Sequence, residues 1–198
     1  QIIETRKQMI EMRESESLEV LLESAGTFAR EIVEKYPQVD EEGRLNYYFA
    51  GSLATTLLLR AGKFERLNET VIPEIVASEP VEVPEKSRHH LRQFVRKIGD
   101  LDFVQTEKYA KDKQELRSSE GVIPEDEYNA RKKKYLIKSE GGPKMNELSE
   151  DAKKIFKKAE GQIGVALDPI DTQTGPKVIR IEIRGQEIYL SDPKMMLA

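Results

Sequence analysis

Two aspartates stand two positions apart in the sequence KIGDLDFVQ, residues 97–105. In an extended strand, residues i and i+2 project from the same face. Asp100 and Asp102 are therefore expected to point in one direction, with Leu101 and Phe103 on the opposite face. Two neighbouring carboxylates repel each other, and a cation bound between them relieves that repulsion. The pair predicts a binding site for a divalent metal ion.

A glycine turn followed by an apolar helix is a second candidate for chemistry. The sequence YYFAGSLATTLLLR, residues 47–60, is typical of a short strand, a turn at Gly51 and a buried helix with Ser52 as its N-cap. Backbone N–H groups and a hydroxyl at the positive end of a helix bind phosphate well. We therefore expect Gly51 and Ser52 to bind phosphate groups.

A third candidate lies in KVIRIEIRGQEIYLSD, residues 177–192, where isoleucines occupy one face of a predicted strand and Glu182 the other. Magnesium takes a few carboxylate ligands and fills its remaining positions with phosphate and water. The glycine turn, the aspartate pair and this acid together indicate a site for a nucleoside triphosphate bound to Mg²⁺ or Mn²⁺. Asp168 or Asp171 could supply the third carboxylate in place of Glu182.

The order of these motifs resembles the DNA polymerase β-type nucleotidyltransferase superfamily, in particular its AbiEii-like, toxin–antitoxin members. The resemblance implies that Gly51 and Ser52 grip the triphosphate and that Asp100 and Asp102 bind two magnesium ions. It also implies that Glu182 completes the metal site and assists deprotonation of the acceptor. One departure is the separation of 48 positions between Ser52 and Asp100, which is far longer than the family usually has.

The activity implied by this resemblance is transfer of a nucleoside monophosphate from an NTP, such as ATP, to a hydroxyl group. An RNA such as tRNA, a protein or a small molecule would be the acceptor, and an antitoxin protein is a further partner implied for this group. The alternative is a catalytically inactive relative that binds nucleotides or acts as a structural, interaction protein.

The resemblance also implies an α+β fold with a small mixed β-sheet flanked by helices. We expect an N-terminal helical segment over residues 1–44 and a nucleotidyltransferase-like domain over residues 45–198. Within that domain, an insertion is expected at 63–95 and a polar, partly mobile segment at 106–146. The chain begins with Gln and stops within a helical pattern, so we expect it to be an excerpt that lacks a C-terminal part.

Hydrophobic periodicity places the remaining elements along the chain. Helices are predicted over residues 4–36, over 147–160 and from Asp192 onward. A strand is predicted over 163–168, and a β-hairpin is predicted around Arg184–Gly185–Gln186. These elements must bring the candidate residues together.

Composition excludes several kinds of site. The chain has no cysteine, which excludes disulfides, zinc–thiolate sites and thiol nucleophiles. No glycine-rich loop ends in Lys-Ser or Lys-Thr, so P-loop chemistry is excluded as well. His89 and His90 are adjacent and diverge on any regular element, so they cannot chelate one metal ion together. No apolar stretch is long enough to span a bilayer, and we expect a cytoplasmic protein without membrane contact.

One segment is basic in a chain whose formal net charge is −4. Residues 128–158 carry ten Lys and Arg against four Asp and Glu. Such a segment could steer RNA or another anionic acceptor toward the site, or it could be an ordinary solvated surface. The few aromatic residues between these charges favour the solvated surface.

Overall fold

The computed structural model describes residues 2–67, 79–138, 142–157, 161–171 and 178–192. Its helices are α1 Ile2–Lys35, α2 Gly51–Ala61, α3 Glu85–Arg92, α4 Glu107–Ser118, α5 Glu125–Lys132 and α6 Glu150–Lys153, with a 3₁₀ turn at Met145–Glu147. Its strands are β1 Tyr47–Phe49, β2 Lys63–Leu67, β3 Val81–Glu82, β4 Asp100–Gln105, β5 Ala166–Asp171, β6 Val178–Ile183 and β7 Gln186–Ser191. The predicted α+β class is confirmed.

The strands form one mixed sheet in the order β3-β2-β6-β7-β1-β4-β5. Two pairs of neighbours are parallel, β4 with β5 and β1 with β7, and the others are antiparallel. Because β1 is antiparallel to β4, the end of β1 lies beside the start of β4. Because α2 follows β1 directly, this arrangement brings the start of α2 close to the start of β4.

The two faces of the sheet differ in what covers them. Phe49, Phe103 and Leu190 are in register across β1, β4 and β7 and are fully buried in the main core. Helices α1, α2, α3, α4 and α6 all contribute side chains to that core. The opposite face carries a smaller apolar cluster around Tyr48 and Tyr189. The aspartates of β4 alternate with Leu101 and Phe103 and therefore lie on this second face.

Helix α1 confirms the predicted N-terminal helix. Its last four turns place Ala25, Phe28, Ala29 and Ile32 in the core at helical spacing, and all four are almost completely buried. Burial of a side chain such as Phe28 contributes about 1.5–3 kcal/mol to stability. The helix thus anchors the N-terminal segment to the covered face of the sheet.

The described residues of the segment predicted as an insertion, 63–95, form only short elements, but two of these are strands of the sheet. Strand β2 pairs antiparallel with β6, and Leu91 of α3 packs into the main core. Residues 68–78 lie outside the described part. The long connection between Ser52 and Asp100 therefore contributes two strands of the sheet, β2 and β3, rather than a separate surface loop.

The polar segment 106–146 contains two helices, α4 and α5. The helix predicted over 147–160 is shorter, with only α6 and the preceding 3₁₀ turn formed among its described residues. The strand predicted over 163–168 is present as β5, shifted toward the C-terminus. Residues 193–198, where a further helix was predicted, lie outside the described residues.

The predicted β-hairpin is confirmed. Strands β6 and β7 pair from Val178↔Ser191 to Ile183↔Gln186. Both residues of the two-residue turn have positive φ, 50° at Arg184 and 81° at Gly185, as a type I′ turn requires. Across the described residues, none of the helices has the length and apolar character needed to cross a membrane.

A candidate metal site at the edge of the sheet

Three aspartates converge at the end of the sheet formed by β4 and β5. Asp102 is in register with Asp168 on the parallel strand β5, and Asp100 projects from the same face two residues earlier. One carboxylate oxygen from each of Asp100, Asp102 and Asp168 can be chosen so that all three lie within 4.8 Å of one another. The predicted pairing of Asp100 and Asp102 is confirmed, and a third carboxylate joins them.

The donor set fits a hard divalent cation. Three carboxylates provide oxygen ligands only, which suits Mg²⁺ or Mn²⁺, and the coordination positions left over would take water or phosphate. Asp102 and Asp168 are half-buried, whereas Leu101 and Phe103 on the other side of β4 are completely buried. The packed core therefore fixes the strand, and the carboxylates remain accessible from the less covered face.

The raised pKa of Asp102 indicates that nearby positive charge does not balance the negative charge of the cluster. Burial, the negative charge of Asp100 and a hydrogen bond with Asp168 raise the pKa of Asp102 to about 7, against an ordinary value of 3.8. The positive charge of Arg96 acts in the opposite direction but is outweighed. A bound divalent cation would favour the ionised form of all three groups.

The start of helix α2 lies directly against Asp102. The backbone N–H of Ala50 donates to the carbonyl of Asp102 at 3.0 Å. Gly51 has φ +64°, and a Cβ at this position would lie only 2.5 Å from Asp102 Oδ2. Backbone conformation and space thus both require glycine here. The two motifs that are 48 positions apart in sequence are in contact.

The helix begins two residues earlier than predicted. Ala50, not Ser52, is the N-cap, and no side chain caps the first N–H groups. Ser52 lies inside the first turn, where its carbonyl accepts a hydrogen bond from Thr56 Oγ1 at 2.7 Å. The uncapped N–H groups and the positive end of the helix dipole are therefore next to the aspartates, where a phosphate group would be stabilised.

Glu182 is not brought to this site. It lies on β6 opposite Glu187 of β7, on the same face as the aspartates. Strands β7 and β1 separate β6 from β4, and three strand spacings correspond to about 14 Å. The alternation with isoleucine correctly predicted its face, but the position of β6 in the sheet removes it from the metal site.

Of the two acids that the sequence leaves as alternatives, Asp168 takes the third position. Asp171 lies at the other end of β5, where its Oδ1 accepts a hydrogen bond from Gln105 Nε2 at 2.9 Å. The sequence signal for Asp168 was its place in a predicted strand. Choosing it over Glu182 requires the parallel pairing of β4 and β5, which residue patterns do not reveal.

The remaining sequence candidates lie elsewhere. His89 and His90 are exposed on α3, and the ring of His90 contacts Phe94. In the basic segment, Arg131, Lys153 and Lys154 are paired with acids three or four residues away on their own helices. This part of the segment has the structure of an ordinary solvated helix surface.

No known protein family, curated protein or solved structure matches this chain. The chemistry of the site therefore has to be inferred from its own side chains. Its chemical features are three carboxylates, a glycine that lies against one of them, and an uncapped helix start.

Metal binding at the aspartate cluster can be tested through the stability of the fold. The pKa of Asp102 is higher in the folded chain than in the unfolded chain, so ionisation of Asp102 destabilises the fold unless a cation is bound. Without metal, the free energy of unfolding should fall as pH rises from about 4 to about 7, since the folded chain retains the Asp102 proton over that range. Asp102→Asn should remove this fall. At pH 8 in EDTA it should raise the melting temperature by about 2–5 °C, equivalent to about 1–1.5 kcal/mol for a partly solvated group.

Thermal denaturation across pH, with and without Mg²⁺, provides the measurement. Magnesium should raise the melting temperature of the wild-type chain and have little effect on Asp102→Asn. Asp126→Asn, which changes an exposed aspartate on α5, is the control and should behave like wild type. Equal melting temperatures and equal magnesium responses in all three proteins would contradict a metal site at Asp102.

Proposed function

We propose that this protein is a metal-dependent nucleotidyltransferase of the DNA polymerase β type, which transfers a nucleoside monophosphate from an NTP to a hydroxyl group. The observation that carries the proposal is the joint arrangement of three aspartates and the helix start at Gly51. Asp100, Asp102 and Asp168 offer oxygen ligands within 4.8 Å of one another. The uncapped end of α2 adjoins them and offers N–H groups to phosphate.

Each part has a role in the proposed reaction. The three aspartates would hold magnesium, which supplies neutralisation of the triphosphate charge and lowers the pKa of the acceptor hydroxyl. The N–H groups of Gly51 and Ser52 would hold the β- and γ-phosphates. Arg96 is close enough to lower the Asp102 pKa, so its guanidinium is also available to the anionic substrate.

The proposed bond changes follow from an in-line displacement. The acceptor oxygen forms a bond with the α-phosphorus, the bond from that phosphorus to the bridging oxygen breaks, and pyrophosphate leaves. The proton of the acceptor hydroxyl passes to a carboxylate of the aspartate cluster or to water. In this proposal Asp168 takes the role of third metal ligand, which the family resemblance assigns to Glu182.

Label transfer tests this proposal directly. The full chain is incubated with each of the four α-labelled NTPs, Mg²⁺ and total cellular RNA or cell extract. We expect transfer of label to one acceptor fraction and release of pyrophosphate, and we expect Asp100→Asn to abolish both. Asp126→Asn is again the control and should retain full transfer.

Label transfer together with a measurement of NTP binding distinguishes the alternatives. Folded wild-type protein that transfers no label would contradict the proposal. Magnesium-dependent binding of an NTP without transfer would indicate an inactive nucleotide-binding relative. Absence of any NTP binding would indicate that the fold serves a structural or interaction role, with the aspartate cluster binding metal alone.

A further inference from the structure

A second polar cleft lies at the other end of β4 and β5. Its volume is about 950 Å³, and it is lined by α4, by the chain near Lys138 and by the last residues of the two strands. Gln105 at its base is the last residue of β4 and lies on the opposite face from Asp102. Three residues of strand, or about 10 Å, separate their positions along β4. The cleft is therefore distinct from the metal site.

A buried lysine forms part of the cleft wall. Lys113 is only 8% exposed, and its Nζ donates to Gln105 Oε1 at 2.8 Å and to the carbonyl of Leu136 at 2.6 Å. Both acceptors are uncharged. A buried ammonium group is usually paired with a carboxylate, but here the carboxylate of Asp171 reaches Lys113 only through the amide of Gln105. Burial lowers the pKa of Lys113 to about 8, although the charge of Asp171 acts in the opposite direction.

Three more cations line the same cleft as this lysine. Lys111, Arg117 and Lys138 line the same cleft, and none of them forms an ion pair with the residues that the structure describes. Arg117 is close enough to Lys113 to lower its pKa. The lining of the cleft thus holds four cations against three acids, Glu107, Glu120 and Asp171.

The acids at the cleft limit the shape of its ligand. Glu107 is the first residue of α4 and Glu120 lies just beyond its last turn, so they stand at opposite ends of the cleft, about 20 Å apart. Their charges would repel an extended polyanion that ran past both ends. A compact anion in the middle of the cleft would meet the cations and avoid these two acids, while the carboxylate of Asp171 accepts a hydrogen bond from Gln105 at the base.

We propose that this cleft binds a small phosphorylated molecule, such as a sugar phosphate or a nucleoside monophosphate, through its phosphate group. Arginine provides a planar fork that matches phosphate geometry, and Arg117 would supply it. Lys113 and Lys138 would supply point charges, and Gln114 and Ser118 line the space beside them. The volume lies within the range of ordinary small-molecule sites.

NMR titration of the ¹⁵N-labelled full chain in EDTA tests this inference. The probes are ribose 5-phosphate and AMP, with ribose and adenosine as unphosphorylated controls. We expect the two phosphorylated probes to shift the amide signals of Lys113, Arg117 and Lys138, and the controls to leave them unchanged. Arg117→Gln and Lys138→Ala should each weaken binding about tenfold, the effect of losing one charge-assisted hydrogen bond.

Matched variants separate this site from the metal site. Lys133→Ala removes an exposed lysine outside the cleft and should leave the affinity unchanged. Asp100→Asn should also leave it unchanged, whether or not nucleotidyl transfer occurs. The inference is overturned if Arg117→Gln binds normally, if ribose shifts the same signals, or if Asp100→Asn abolishes binding. Tighter binding of a single-stranded RNA than of AMP through these cations would overturn the small-ligand assignment.

Discussion

Asp168→Asn should reduce nucleotidyl transfer by about a thousandfold, whereas Glu182→Gln should leave it within about twofold of wild type. A metal ion that neutralises phosphate contributes several kcal/mol to the transition state, and about 4 kcal/mol corresponds to a thousandfold change in rate. Asp168 lies within the aspartate cluster, whereas Glu182 is three strands away. Initial rates of label transfer, measured at an Mg²⁺ concentration that saturates the wild-type chain, provide the comparison.

This pair of variants tests the arrangement of the site rather than the need for acids in general. Both substitutions replace a carboxylate by the matching amide, so they change charge with little change in volume. Raising the Mg²⁺ concentration should restore part of the activity of Asp168→Asn if weaker metal binding is the cause. A severe loss in Glu182→Gln with normal activity in Asp168→Asn would show that the third ligand comes from β6 after all.

Gly51→Ala should destabilise the protein by about 2–5 kcal/mol and also disrupt the metal site. Alanine at φ +64° carries a steric cost of about 1–2 kcal/mol. Its Cβ would in addition lie 2.5 Å from Asp102 Oδ2, and the overpacking adds about 1–3 kcal/mol. Asp102 can relieve this contact only by leaving its position beside Asp100 and Asp168.

Gly121→Ala is the matched control, because Gly121 has φ +80° and its added Cβ would meet no heavy atom within 4 Å. It should show the conformational cost alone, about 1–2 kcal/mol. Urea unfolding measures both variants, and the rise of melting temperature on adding Mg²⁺ reports the metal site. Equal destabilisation of the two variants, with a normal magnesium response in Gly51→Ala, would refute the close contact.

The local part of the site was predictable from the sequence. Alternation of acid and apolar residues correctly placed Asp100 and Asp102 on one face, and the order of strand, glycine and helix correctly identified Gly51. Both rest on periodicities of a few residues, which backbone geometry imposes. The N-cap was assigned two residues late, since Ala50 has no capping side chain.

The third carboxylate was not predictable in the same way. Glu182 and Asp168 both lie in strands and both alternate with apolar neighbours, so pattern alone ranks them equally. What separates them is the order of strands, with β5 next to β4 and β6 three places away. Strand order depends on packing between distant segments, and the same cause hid the membership of β2 in the main sheet.

The position of β5 has a consequence for solubility during folding. Among the strands that the structure describes, β5 is the last in the sheet and leaves one row of backbone groups without a partner strand, and such rows can pair with another copy of the chain. Pro169 has no N–H to donate, and the charges of Asp168 and Asp171 flank it. The acid that completes the candidate metal site thus also protects this edge against aggregation.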